Sequence, residues 1–350
     1  MSEPAVDALR DVDNPYALPP AHTTFDTEYA AATQGALAIS RTARGRMRML
    51  GERARETLTG LVTNDVLGLD VGAGLYAAAL NAKGKLIADL RVYALRDGLW
   101  IDVAPLAWPG WWATVRKYVN PRLAKYEDLS TLFATVSVHG PAAAEAIAHA
   151  GDVDRQSLAE LPPYAHVPLG TPFPDGIVAR QPNAPGATYD VWVRAGDHGA
   201  MEERLRAAGV VTGGGVVAHV LRVESGRPEY GIDMDEGTLA QEANMDDLHA
   251  ISYTKGCYTG QETVARVHFR GHVNRHLRAL RVLAGGPLVR GTDLRLTDGT
   301  IIGDVRSAAA SPSQGVIAIA MLRRDVAPGT TVQCGDSGSA QVVPLPYAQA

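Results

Sequence analysis

The stretch KGCYTGQETVARVHFRGHVNRH, residues 255–276, holds the densest chemistry in this 350-residue chain and sits where its texture changes. Its opening octet is Lys255-Gly256-Cys257-Tyr258-Thr259-Gly260-Gln261-Glu262. The two glycines let the backbone turn sharply and approach a neighbour closely. Cys257 stands two residues from Lys255 in an arginine-rich segment, a setting in which cations favour a thiolate. A lone cysteine is otherwise a small buried hydrophobe. His268, His272 and His276 recur every four residues, as metal ligands on one helix face would. Gly271 interrupts that face, however, and no carboxylate stands at ligand spacing, so no metal site is expected.

Charge divides at the same place. Residues 229–254 hold seven acids and no Lys or Arg, whereas residues 255–281 hold six bases against one acid, Glu262. Abutting blocks of opposite sign suit a solvated salt-bridge surface. They equally suit a cleft in which acids read donor groups on a ligand and bases hold its anionic end.

Downstream, from about Leu277, short β-type runs (LRALRVL, DLRLTD, TIIGDVRS, GVIAIAML, TTVQC, AQVVPL) alternate with Asp298-Gly299, Pro312, Pro328-Gly329 and Gly335. Such spacing, with no helix between, predicts a small all-β sandwich or barrel. Upstream the pattern is mixed. Glu52–Leu61 has helical spacing, and strands are expected at LYAAAL (75–80) and IADLRVYAL (87–95), joined by a tight Asn81-Ala82-Lys83-Gly84 hairpin. WPGWWATVRKYV, from Trp108, reads as an amphipathic helix whose tryptophans are core anchors or, less simply, a stacking platform. ATVSVHGPAAAEAIAHA is strand, turn and helix; YDVWVRA (189–195) is a strand. MEERLRAAG and VVAHVLRVESG are helices ending at Gly209 and Gly226. The triple glycine 213–215 lacks phosphate-loop spacing and reads as a turn before a helix. Residues 1–33, with four prolines and little periodicity, read as an arm.

Composition sets the class. Hydrophobic residues make up 46% and charged residues 20%, which excludes disorder, collagen and coiled coil. No apolar run is long enough for a membrane span, and the acidic, polar N-terminus is unlike a secretory signal. The net charge of -5 argues against general binding to nucleic acid or an anionic membrane. Two cysteines cannot build a disulfide framework. A cytoplasmic location is expected.

The octet, followed by VARVHFRGHVNRHL, resembles the K-G-C-[YF]-x-G-Q-E signature of the bacterial YgfZ-type folate-binding proteins, relatives of the mitochondrial iron–sulfur assembly factor. Arg222-Val223-Glu224-Ser225-Gly226-Arg227-Pro228 with Tyr230-Gly231-Ile232-Asp233 is similar to that family's R-x-E-x-G-x-P…G-x-D stretch, and Glu242-Ala243-Asn244 to its E-A-N. Val62–Val66 and Leu80–Gly84 resemble landmarks shared with the glycine-cleavage T-protein, an aminomethyltransferase. Gly303-Asp304-Val305-Arg306-Ser307 resembles the superfamily's C-terminal barrel.

The resemblance implies an α+β fold: T-protein-like folate-binding α/β lobes over residues 34–274, then a β-barrel over 275–350, around a tetrahydrofolate site. It implies that Glu224 reads the pterin's N–H donors, for which a carboxylate is a suitable forked acceptor. Asn64 and Asn81 would lie near the cleft and Tyr76 would wall it. Arg266, Arg270 or Arg275 would meet the folate's glutamate carboxylates. T-proteins carry G-G-x-x-D-D where this chain has Lys83–Asp89, so only Asp89 of the aspartate pair remains to position or bind. The function implied is a tetrahydrofolate-binding accessory protein for assembly or maintenance of iron–sulfur enzymes, which would be its partners. Cys257 would be its thiol, with Lys255, Gln261 and Glu262 shaping the segment. The alternatives are an aminomethyltransferase, a related demethylase without its oxidase half, or a folate-sensing interaction module.

Overall fold

Strands that mix apolar runs with buried polar residues build two sheets; the computed structural model describes residues 23–182, 186–286, 288–335 and 337–345. In the first sheet the order is Gly74–Leu80, Leu86–Leu95, Gly98–Val103, Gly45–Leu50, Lys125–Asp128, all antiparallel. In the second it is Val211–Thr212, Leu37–Ser40, Phe133–His139, Thr188–Arg194, Ile177–Gln181, His166–Pro168. Only the first pair of that sheet is parallel. Phe133–His139 is buried at every position even though Thr135, Ser137 and His139 alternate with Ala134, Val136 and Val138.

An aromatic seam locks the sheets together. Trp100 of the first meets Phe133 and Trp192 of the second, with ring centroids 4.8 and 5.4 Å apart. Arg46, fully buried, crosses the same seam. Its Nε donates to Thr135 Oγ1 at 3.0 Å, and its other nitrogens donate to the carbonyls of Arg41, Thr42, Arg44 and Phe133. Burial pushes it down to about 10, and this shell of acceptors is what makes the buried guanidinium tolerable.

The C-terminal barrel closes in the order Arg275–Ala284, Gly315–Arg323, Ile301–Ser311, Asp293–Arg295, Thr331–Cys334, Gly338–Val343 and back to the first strand. Closure leaves no open strand edge. The R-x-E…G-x-D and E-A-N residues fasten the body to it. Asp233 accepts from Arg222 at 2.6 Å and from Ser307 Oγ at 2.5 Å, and Arg222 also donates to Ser307 at 2.7 Å. Asn244 Nδ2 donates to the Leu277 carbonyl at 2.9 Å, and Glu242 pairs with Arg275 at 2.8 Å.

Of the arm expected over 1–33, residues 1–22 lie outside the described residues, but Phe25–Gln34 is a helix that buries Glu28, Tyr29 and Ala32. Thr24 caps it by accepting from Thr27 N–H at 3.3 Å. Its acids hid it: Glu28 looks like a surface residue, yet it accepts from Gly214 N–H at 2.9 Å and so caps the helix Gly215–Glu224. The triple glycine is thus a helix start at which the Gly213 N–H donates to the Ala38 carbonyl and the Gly214 N–H to Glu28. The tryptophans are core anchors. Trp111 is fully buried, Trp108 stacks on Trp112 at 5.1 Å, and a Cβ at Gly45 would come within 2.3 Å of Trp108. Among the described residues no helix is long and apolar enough to cross a membrane, and no group of three His, Cys, Asp or Glu is placed to hold a metal.

Candidate functional site

The hairpin formed by Gly74–Leu80 and Leu86–Leu95 carries two candidate sites, one on its stem and one at its tip. Its stem walls a cleft partly open to solvent. The cleft is built from the turn after Leu37–Ser40 (Arg41, Arg44), the stem (Tyr76, Asp89, Arg91), the end of Phe133–His139 (His139), Tyr164, helix Gly215–Glu224 (Ala218, Leu221, Arg222) and the loop after it (Arg227, Glu229). Antiparallel pairing of Tyr76 with Arg91 and Ala78 with Asp89 sets these side chains on neighbouring strands.

Tyr76 OH donates to Asp89 Oδ2 at 2.9 Å, while Asp89 Oδ1 is buried with no hydrogen-bond partner. Burial raises Asp89 above the usual carboxylate range, against the pull of Arg44, the Tyr76 hydroxyl and Arg91. A carboxyl in that state can accept from a ligand N–H or exchange a proton with it. Tyr76 and Tyr164 are parallel within 6°, with centroids 6.0 Å apart, and the Arg227 guanidinium lies 5.9 Å over Tyr76. Arg227 also donates to Tyr164 OH at 2.9 Å.

Most of the cleft's cations are neutralised from behind. Arg44 forks onto Asp102 at 2.7 and 2.9 Å, and Arg91 reaches Asp190 at 2.8 Å and Asp102 at 3.6 Å. Arg222 is held by Asp233 and, at 3.3 Å, by Glu229. What faces the ligand space is an acceptor, a flat aromatic wall and a rim of guanidinium groups. Such a set fits a planar heterocycle with adjacent N–H donors and an anionic end.

Of the residues expected in the site, Tyr76 and Asp89 line the cleft. Glu224 does not. It is buried at the end of its helix, where Oε1 accepts from Tyr29 OH at 2.7 Å and Ser311 Oγ at 2.5 Å, tying the N-terminal helix to the barrel. Asn64 bridges the carbonyls of Tyr76 and His249, each at 2.8 Å, and Asn81 accepts from Lys83 and Lys85 N–H within its own turn. Arg266 and Arg270 are exposed on the helix Gln261–Arg270 and Arg275 is paired with Glu242, so none of them lines the cleft. The residues missed were Arg41, Arg44, Arg91, His139, Tyr164, Arg227 and Glu229. One signal was available: Arg91, with Asp89 two residues before it, interrupts an otherwise apolar strand, and a charge there must be buried with a partner.

The hairpin tip carries the cysteine loop. Gly260 adopts φ +85, and a Cβ on it would come within 2.6 Å of the Asn81 carbonyl; a Cβ on Gly84 would come within 2.7 Å of Thr263. The two glycine-bearing motifs therefore need each other's missing side chains. Lys255 pins the loop, donating to the carbonyls of Thr59 at 2.5 Å and Val62 at 2.7 Å, with its ammonium 4.3 Å over the Tyr258 ring. Burial pushes Lys255 down to about 8, against the opposing pull of Asp65 and Cys257. Cys257 is exposed, whereas Cys334 is buried in the barrel. Asp89 lies four residues from Lys85, roughly 13 Å along the strand.

Burial holds His139, His166 and His219 down from 6.5 to about 4. The unfolded chain then binds more protons between those values, so stability present above about pH 6.5 is lost as pH falls towards 4. Asp89, shifted upward, acts with the opposite sign but is one group against three. The thermal midpoint is expected to fall between pH 6.5 and 4, by an amount on the order of a few kcal/mol in stability. A flat profile over that window would contradict the burial of these rings.

Two α/β lobes about a cleft, followed by a closed barrel, define an aminomethyltransferase-type fold. The crystal structure of the glycine cleavage system aminomethyltransferase T from Bartonella henselae superposes with a TM-score of 0.83 at 20% identity, covering 92% of this chain and 88% of that one. Residues 12–252 match the GCVT N-terminal domain family. The chain belongs to that family, as a YgfZ-type member. It is 30% identical over 309 residues to the tRNA-modifying protein YgfZ of Sodalis glossinidius, covering 83% of this chain and 87% of that protein. The namesake of Klebsiella pneumoniae is 29% identical, covering 85% and 89%. An aminomethyltransferase of Saccharopolyspora erythraea is 28% identical, covering 95% and 92%.

Proposed function

We propose that the chain is a tetrahydrofolate-binding accessory protein of the cytoplasm that serves iron–sulfur enzymes or their assembly, with Cys257 as its functional thiol. The folate part rests on Asp89. Its Oδ1 is a buried acceptor without a partner, on a residue that lines with Tyr76 and Tyr164 a space suited to a flat ring with N–H donors. The thiol part rests on the placement of Cys257, exposed on a loop that Lys255 holds in shape, at the tip of the hairpin whose stem walls the cleft. Cys334 lies inside the barrel, so a cluster bound at Cys257 would draw its remaining ligands from another protein. On this reading the tRNA modification in the relatives' name is a process that the client enzymes serve, and the chain itself binds neither nucleic acid nor membrane.

Calorimetric titration with tetrahydrofolate tests the folate part. Asp89→Ala is expected to weaken binding roughly ten- to a hundredfold, the worth of about 1.5–3 kcal/mol for a charge-assisted hydrogen bond. Equal affinity in the variant would remove Asp89 from the site.

The likeness to aminomethyltransferases favours a second reading, methylene transfer to tetrahydrofolate. Steady formation of methylene-tetrahydrofolate with the other glycine-cleavage components, at about 1 per second or faster, would put this reading first.

A further inference from the structure

We infer that Arg41 and His139 form a carboxylate subsite of the cleft, taking the anionic tail of the ligand whose ring lies against Tyr76 and Asp89. The inference rests on the folate reading for its natural ligand, and on the cleft itself for its chemistry. Arg41 differs from the other cleft arginines: among the described residues no hydrogen bond or ion pair reaches its guanidinium, while Arg44, Arg91, Arg222 and Arg227 are each tied to acceptors. Its backbone is fixed, its N–H donating to the Thr135 carbonyl at 2.8 Å and its carbonyl accepting from Arg46 at 2.5 Å. The position is therefore built, and among the described residues the guanidinium feels Glu229 and Asp190 only through space, with no acceptor in contact.

His139 supplies the second observation. It is only 4% exposed, lines the same cleft, and its Nε2 is buried with no partner. Thr188 Oγ1 lies 3.3 Å from Nδ1. With the hydroxyl donating to Nδ1, the ring keeps its proton on Nε2, a buried N–H donor without an acceptor on a residue that lines the cleft. The ring also feels the Arg41 charge, which helps hold it neutral. A cation and a neutral donor without hydrogen-bond acceptors, in a cleft where Arg44, Arg91 and Arg222 are paired with carboxylates, make a place for one added negative charge. The exposed Arg266 and Arg270 offer no such enclosure.

Two probes with the same reduced ring separate tail from ring: tetrahydrofolate, and 6-methyltetrahydropterin, which lacks the glutamate. Arg41→Gln makes no change to any existing hydrogen bond of the side chain, so it is expected to fold normally. It should weaken tetrahydrofolate tenfold or more and leave 6-methyltetrahydropterin unchanged. Equal weakening of both probes, or of neither, would overturn the subsite. If neither probe binds the unmutated protein, the folate reading falls, and glutarate decides the subsite alone. In that case the His139 imidazole resonances should move on glutarate titration in the unmutated protein and stay still in Arg41→Gln. Their failure to move in the unmutated protein would overturn it.

Discussion

Asp233→Ala is expected to lower the stability of the folded chain by about 3–5 kcal/mol, the usual cost of removing one partner from a buried ion pair. Asp233 is fully buried and its two oxygens take three donors: Arg222 at 2.6 Å, Ser307 Oγ at 2.5 Å and the Glu229 N–H at 2.9 Å. Alanine takes the nearest carboxylate from Arg222, leaving Glu229 at 3.3 Å beside the Ser307 hydroxyl and the Arg227 carbonyl, and strips Ser307 of its acceptor. Those three partners belong to the cleft helix, the barrel and the loop between, so the loss is shared by the whole docking of barrel to body. Urea denaturation gives the value, and a loss under about 1 kcal/mol would show that the barrel is held by apolar packing instead. Leu221 and Arg222 line the cleft, so ligand affinity should fall with stability.

Cys257→Ser is expected to abolish function while leaving the fold and tetrahydrofolate binding intact. The side chain is exposed and no other side chain depends on it, so stability should change by less than about 0.5 kcal/mol. Serine keeps the shape but is a far weaker nucleophile and soft-metal ligand. In a strain lacking the protein, the serine variant should fail to restore activity of an iron–sulfur enzyme that the unmutated protein restores. Cys257 should also be alkylated faster than Cys334, which is enclosed by the barrel and whose thiol burial pushes up. Full complementation together with an unreactive Cys257 would leave the loop as a structural partner of the hairpin and nothing more.

Local elements were legible because each has a local cause. The helix ending before Gly209, the strand Thr188–Arg194, the Asn81–Gly84 turn and the six barrel strands all follow from periodicity and turn residues within a few positions of themselves. The barrel's start, where Arg275 opens its first strand, was readable for the same reason. The cleft was half legible. Tyr76 and Asp89 line it, and only a family resemblance pointed to them; the local pattern shows only a strand pair. Arg41, His139 and Tyr164 come from three separate segments, and no spacing in the chain announces that they meet. Glu224 misled for a related reason. A carboxylate beside a helix-ending glycine looks available, and only the fold brings Tyr29 and Ser311, 195 and 87 residues away, to occupy it. The helix Phe25–Gln34 was missed because the acid it buries has its purpose, the capping of Gly214, nearly two hundred residues downstream.

The most direct test of the account is a crystal structure of the protein with tetrahydrofolate. The account predicts the pterin between Tyr76, Tyr164 and Asp89, with an N–H of the ring within about 3 Å of Asp89 Oδ1, and the tail carboxylate at Arg41 and His139. A folate bound instead at Glu224 or on the helix Gln261–Arg270, or an empty cleft at saturating ligand, would contradict it.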